Sequence, residues 1–101
     1  MLMKIFAIYD AGISTWKPPM FCRAKGEILR WWTEMINSGQ TDISKHPADF
    51  TLFEIGSWDD ENNKFTHYKA PLSLGVALEF VKAAEAEAAS QEPIRVVKKD
   101  T

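Results

Sequence analysis

The stretch Met3-Lys4-Ile5-Phe6-Ala7-Ile8-Tyr9 decides the fold. In an extended chain successive side chains point to opposite sides, so Ile5, Ala7 and Tyr9 share one face and Phe6 and Ile8 the other. A strand that is apolar on both faces belongs in the middle of a sheet. After it, Asp10 to Thr15 has loop composition, and Pro18-Pro19 hold the backbone extended before Met20-Phe21-Cys22-Arg23, which reads as a short edge strand.

From Ala24 to Asn37 the apolar residues Ile28, Leu29, Trp32, Met35 and Ile36 recur at the spacing of an amphipathic helix, and Ser38-Gly39 closes it. Trp31 falls at the margin of that stripe. Gln40 to Phe50 is polar, with Lys45-His46-Pro47 as a breaker, and reads as a connecting loop. Thr51 to Trp58 sets Leu52 and Glu54 against Phe53 and Ile55, and Lys64 to Lys69 is a second short run. Between them Asp59-Asp60-Glu61-Asn62-Asn63 is turn chemistry, which predicts a β-hairpin. Ala70-Pro71-Leu72-Ser73 is expected to end the second strand, with the Ser73 hydroxyl capping another helix. Its buried stripe would be Leu74, Ala77, Leu78, Val81 and Ala84, with Phe80 turned elsewhere and Pro93 as the stop. Residues 94–99 fit either a last edge strand or a basic tail.

This order predicts an α+β two-layer sandwich, an antiparallel sheet with two helices on one face, related to the ferredoxin-like shape. Residues 1–92 are expected to form a single domain, and residues 93–101 a basic tail or edge strand. With 101 residues, 46% of them hydrophobic and 26% charged, the chain has room for one core and none for elaborate active-site insertions. The lone Cys22 cannot form an internal disulfide, which fits a reducing cytoplasm. No apolar run approaches the ~20 residues that span a bilayer, so no membrane partner is expected.

The net charge of −2 gives no global attraction to nucleic acid. Its distribution is uneven: residues 1–41 hold five basic and three acidic side chains, whereas residues 42–101 hold seven and eleven. Cys22, His46 and His67 share no signature of nucleophilic catalysis. Cys22 reads as a small core filler, His67 as a surface or interface residue, and His46 as a loop-ordering residue. The acidic run Asp59-Asp60-Glu61 lacks the spacing of a calcium loop and reads as a solvated hairpin tip. The glycines are too scattered for a phosphate-cradling loop. No enzyme, metal or cofactor is therefore expected.

The segment Trp16 to Trp31 differs. Lys17, Arg23, Lys25 and Arg30 are interleaved there with Trp16, Phe21 and Trp31, where an extended arm runs into a helix N-terminus. Cations for phosphates and flat rings for bases are the two halves of single-strand recognition. The first-turn amides near Lys25 and Gly26 would also suit a phosphate oxygen. The residues alone leave open whether this is a nucleic-acid contact or a bland solvated face.

Met3 to Asp10, then Pro18-Pro19-Met20-Phe21-Cys22-Arg23-Ala24-Lys25-Gly26-Glu27, resembles the small non-structural protein of gokushoviruses, the Microviridae group that includes the Chlamydia phages. The likeness continues through His46 to Gly56, Asp59-Asp60, Ala70-Pro71 and Leu74 to Phe80, and covers about residues 3–82. It implies a phage-encoded, non-enzymatic protein of the infected bacterium's cytoplasm that is absent from the virion. It also implies DNA binding during the synthesis of progeny single-stranded DNA. The chain departs from the pattern at Asn62-Asn63, where a glycine is expected in the turn, and asparagine tolerates the same backbone.

The resulting expectation is a single-strand binder, DNA favoured, with Lys17, Arg23, Lys25 and Arg30 on phosphates and Trp16, Phe21 or Trp31 stacking on bases. A homodimer through a sheet edge or Phe80 would enlarge the basic strip. The competing expectation is an adaptor that recruits a viral or host replication partner through exposed aromatics.

Overall fold

The computed structural model describes residues 1–81. Strand β1 (Leu2–Asp10) lies between β4 (Phe50–Asp59) on one edge and the short strands β2 (Thr15–Trp16) and β3 (Met20–Cys22) on the other. Strand β5 (Lys64–Val76) pairs with β4 and closes the five-stranded sheet, in which every pairing is antiparallel. The doubly apolar first strand is therefore central, as its pattern predicts. Helix α1 (Lys25–Asn37), helix α2 (Asp42–Lys45) and a 3-10 turn (Pro47–Asp49) connect β3 to β4.

One face of the sheet carries the core. Phe6 and Ile8 of β1 and Phe50 and Leu52 of β4 pack against Ile28, Trp32 and Ile36 of α1 and Ile43 of α2. Trp32 is fully buried at its centre, edge-on to Phe80 with ring centroids 6.1 Å apart. The two-layer α+β sandwich is thus the architecture of the described residues.

Several local expectations need correction. The polar segment after Gly39 is not a plain loop. Thr41 and Ser44 form a reciprocal capping box that starts α2, which buries Ile43. His46 orders this segment through its backbone, donating to the Asp42 carbonyl and accepting from the Asp49 N–H. Thr15, at the end of the expected loop, pairs with Asp10, and Trp16 after it pairs with Tyr9.

The largest correction concerns residues 70–76. The strand does not end at Ala70-Pro71, and Ser73 is not a helix cap but the partner of Phe53 in the ladder. Between the pairs Glu54–Leu72 and Gly56–His67 the single residue Ile55 faces Tyr68, Lys69, Ala70 and Pro71. Pro71 thus sits in an unpaired bulge, where its missing N–H costs no ladder bond. Helical structure starts only at Ala77, because Gly75 has a φ of 127°, outside any helix. Leu78 is accordingly exposed rather than buried, whereas Phe80 packs against the core. The expected positions of Ala84, the Pro93 stop, the domain limit at residue 92 and the tail at residues 93–101 lie outside the described residues.

The bulge also explains Gly56. A Cβ at this position would collide with the carbonyl oxygen of Thr66, so only glycine lets β5 approach β4 this closely. Tyr68, carried by the bulge, reaches Glu54 with a 2.6 Å hydrogen bond from its hydroxyl. Glu54 is a buried charged side chain, and it also lies 3.5 Å from the Lys4 ammonium.

Candidate nucleic-acid interface

The helices cover one face of the sheet, and no described element covers the other. Cross-strand partners share a face, so the pairs Tyr9–Trp16, Ala7–Phe53, Ile5–Phe21, Met3–Trp58 and Trp58–Phe65 place all these side chains together on the open side. They form two aromatic groups. Trp16 lies 5.0 Å from Tyr9 and 5.2 Å from Phe53 between ring centroids. Roughly 15 Å along β1, at a strand's rise per residue, Phe21, Trp58 and Phe65 make a second group with centroid spacings of 6.0 to 6.4 Å. Trp16, Phe21 and Phe65 are 45%, 42% and 60% exposed, a large outlay of apolar surface for so small a domain.

Each group borders a hollow of similar size. Met3, Phe21, Trp58, Asn63 and Phe65 line one of about 320 Å³. Ala7, Trp16, Lys17, Ile55, His67 and Pro71 border another of about 310 Å³. Both volumes stand at the small end of the ~300–1,000 Å³ common for ligand clefts.

The residues expected to make one strip are divided between two sides of the molecule. Trp16 and Phe21 stand on the open face. Arg23 and Lys25 are exposed at the junction of β3 and α1. Arg30 and Trp31 sit on α1, in the layer that covers the opposite face. At 100° per residue Arg30 points directly away from the buried stripe of Ile28, Trp32 and Ile36. A polynucleotide lying on the open face does not reach it. Lys17 borders the Trp16 hollow, but its ammonium turns toward the helical layer, 3.1 Å from Asp42 and 5.5 Å over the Phe50 ring. The N-cap of α1, Ala24, makes no side-chain capping bond.

Tyr9, Phe53, Trp58 and Phe65, which the sequence pattern does not mark as site residues, complete the open face together with His67, expected at a surface or interface, and Asn63, expected in the turn. The signal was present: Phe53 and Ile55 alternate in phase with Ile5, Ala7 and Tyr9, so a second apolar face was legible, but not that it stays uncovered.

The remaining polar groups are engaged in structure. The backbone N–H of Glu61 and the Asn62 amide hold the Asp59 carboxylate below its ordinary range and fix the hairpin tip. Asn63 takes the left-handed conformation, φ 53°, that the missing glycine would have supplied. Burial, and then the Glu27 charge, push the Cys22 thiol up, which lowers its nucleophilicity. Among the described residues no cluster of His, Cys, Asp or Glu is placed to hold a metal ion, and no helix is long and apolar enough to cross a membrane.

No curated protein and no solved structure matches the chain. A family model does: residues 3–80, which include both aromatic groups and all the described strands but the first residue of β1, match the family described as Phage ORF5 protein, and the chain belongs to that family.

Proposed function

We propose that this phage protein binds single-stranded DNA, without catalysis, during the synthesis of progeny phage DNA in the infected cell, as the Microviridae resemblance implies. The observation that supports the reading is the open sheet face with its two groups of exposed rings. Unpaired bases have flat faces in every sequence, and stacking each one on an aromatic side chain contributes roughly 1–3 kcal/mol. An antiparallel sheet with helices behind it is a rigid platform for such stacking. Phosphates would meet cations at its margins: Arg23 beside Phe21, and Lys64 and Lys69 along β5.

This moves the interface relative to the expectation from sequence. Trp16, Phe21 and Arg23 remain in it, Lys17 and Lys25 stand at its border, and Arg30 and Trp31 drop out. The exposed edge of β5 is a poor dimer seam, because the bulge, Pro71, Lys64 and Lys69 all oppose strand addition.

A second reading, an adaptor for a viral or host replication protein, is favoured by one observation: among the described residues Lys17 is the single Lys or Arg bordering the two aromatic hollows. Filter binding of the full chain to single-stranded DNA, single-stranded RNA and duplex decides between them. The single-strand reading predicts retention of single-stranded DNA, loss in Trp16→Ala with Phe21→Ala, and no loss in Arg30→Ala with Trp31→Ala. Absence of retention at low salt overturns it in favour of the adaptor.

A further inference from the structure

The hollow at the hairpin end of the open face is walled almost wholly by apolar atoms and has one hydrogen-bonded amide, that of Asn63, at its edge. Trp58 donates its indole N–H to the Asn63 side-chain oxygen at 2.8 Å. This bond fixes which way the Asn63 amide is turned. Its oxygen is occupied, and its NH2 group, which has no partner among the described residues, is left as a donor at the rim of a hollow otherwise walled by Met3, Phe21, Trp58 and Phe65. The left-handed backbone at Asn63 holds the donor at the turn, with Phe65 two residues on, 60% exposed.

An oriented donor beside an apolar wall selects a flat ring that carries an acceptor next to a hydrophobic group. Thymine has that pattern on one edge: its O4 acceptor adjoins the C5 methyl. Cytosine offers an amino donor in place of O4, which would face the Asn63 donor, and lacks the methyl. Uracil keeps the carbonyl and loses only the methyl. The geometry points to this hollow as a thymine-preferring base subsite, with the ring laid on Phe65 and Trp58, O4 accepting from the Asn63 amide, and the methyl against Met3 and Phe21. The assignment rests on the single-strand reading above and adds base preference to it.

The test is competition filter binding of the full chain with unstructured eight-nucleotide (dT), (dU) and (dC) strands, for the wild type and for Asn63→Gly and Asn63→Asp. Glycine keeps the turn and removes the amide. Aspartate keeps the acceptor for the Trp58 N–H and removes the donor. One hydrogen bond in an exposed site corresponds to about a 2- to 10-fold effect. The wild type is expected to bind (dT) more tightly than (dC) by that factor, with (dU) between them. Asn63→Gly is expected to lower the (dT)-to-(dC) ratio to the part carried by the methyl contact, with the binding of (dC) as in the wild type, and Asn63→Asp, whose carboxylate accepts from the cytosine amino group, to lower it further or reverse it. An unchanged (dT)-to-(dC) ratio in Asn63→Gly, or no preference in the wild type, overturns the subsite and leaves the sheet-face reading standing. Failure of the wild type to bind any of the strands overturns both.

Discussion

The two faces of this sheet are built from the same strands and have opposite fates. On the covered side Phe6, Leu52 and Trp32 are fully buried, whereas on the open side Trp16, Phe21 and Phe65 keep 42% to 60% of their surface. Alternate residues of β1 supply both. The covered face is aliphatic and aromatic side chains locked by three turns of α1, while the open face is mostly rings in tilted and edge-on contacts. Apolar surface that folding leaves uncovered contributes little to stability, so its retention is better explained by what it contacts than by what it holds together.

That contrast can be broken most decisively at Trp32. Trp32→Ala is expected to cost about 3–5 kcal/mol in chemical denaturation, the range for a large core truncation. Trp32→Phe should cost distinctly less, because the indole N–H has no hydrogen-bond partner among the described residues and its removal leaves none of them unpaired. A loss from Trp32→Ala no greater than that from an open-face substitution would mean that the faces are not energetically distinct.

The complementary substitutions, Phe21→Ala and Trp16→Ala, should each leave the denaturation midpoint nearly unchanged and weaken single-stranded DNA binding by roughly 1–3 kcal/mol, about 5- to 100-fold. A large stability loss without a binding loss would make the open face structural.

A pH titration sharpens the covered side. The Glu54 carboxylate, first through its hydrogen bond and then with burial, raises the Tyr68 hydroxyl above its usual value. The folded state therefore holds that proton more tightly than the unfolded chain does. The contribution is fully present below about pH 10, the ordinary tyrosine value, and is lost as pH rises through the raised one. Stability of the wild type should fall over that interval more than that of Tyr68→Phe, as followed by denaturation at a series of pH values. Parallel decline of the two proteins would remove Tyr68 from the linkage.

The smallest effect is on salt dependence. Each phosphate contact on a single strand contributes about −0.7 to the slope of log affinity against log salt. Arg23→Ala should make the slope shallower by about that amount, and Arg30→Ala, on the far side of α1, should leave it unchanged. Equal changes would return the interface to the helix.

The sheet, α1 and the hairpin were legible because local periodicity and turn chemistry agreed with the tertiary outcome. Ile28, Trp32 and Ile36 were readable as a stripe, and Asn63 as a left-handed turn residue. The β5 continuation was not, because Pro71 and Ser73 carry strong local signals for a break and a cap. The bulge opposite Ile55 overrides both by leaving Pro71 unpaired, and Gly75 delays the helix. The proposed interface is half legible in the sequence. Trp16, Phe21 and Arg23 are contiguous enough in sequence to be noticed, but the residues that complete the face come from β1, β4 and β5 and meet only through the ladder. Arg30 and Trp31 are close to this segment in sequence, but helix α1 carries them in the layer opposite the open face.

The distribution of the four tryptophans gives the most direct measurement. Trp16 and Trp58 stand on the open face, Trp31 on the outside of α1, and Trp32 in the core. Oligothymidylate titration followed by tryptophan fluorescence should show quenching that survives Trp31→Phe and is lost when Trp16→Phe and Trp58→Phe are combined. Quenching that persists in the double variant and disappears with Trp31→Phe would contradict a base-stacking role for the uncovered face of the sheet.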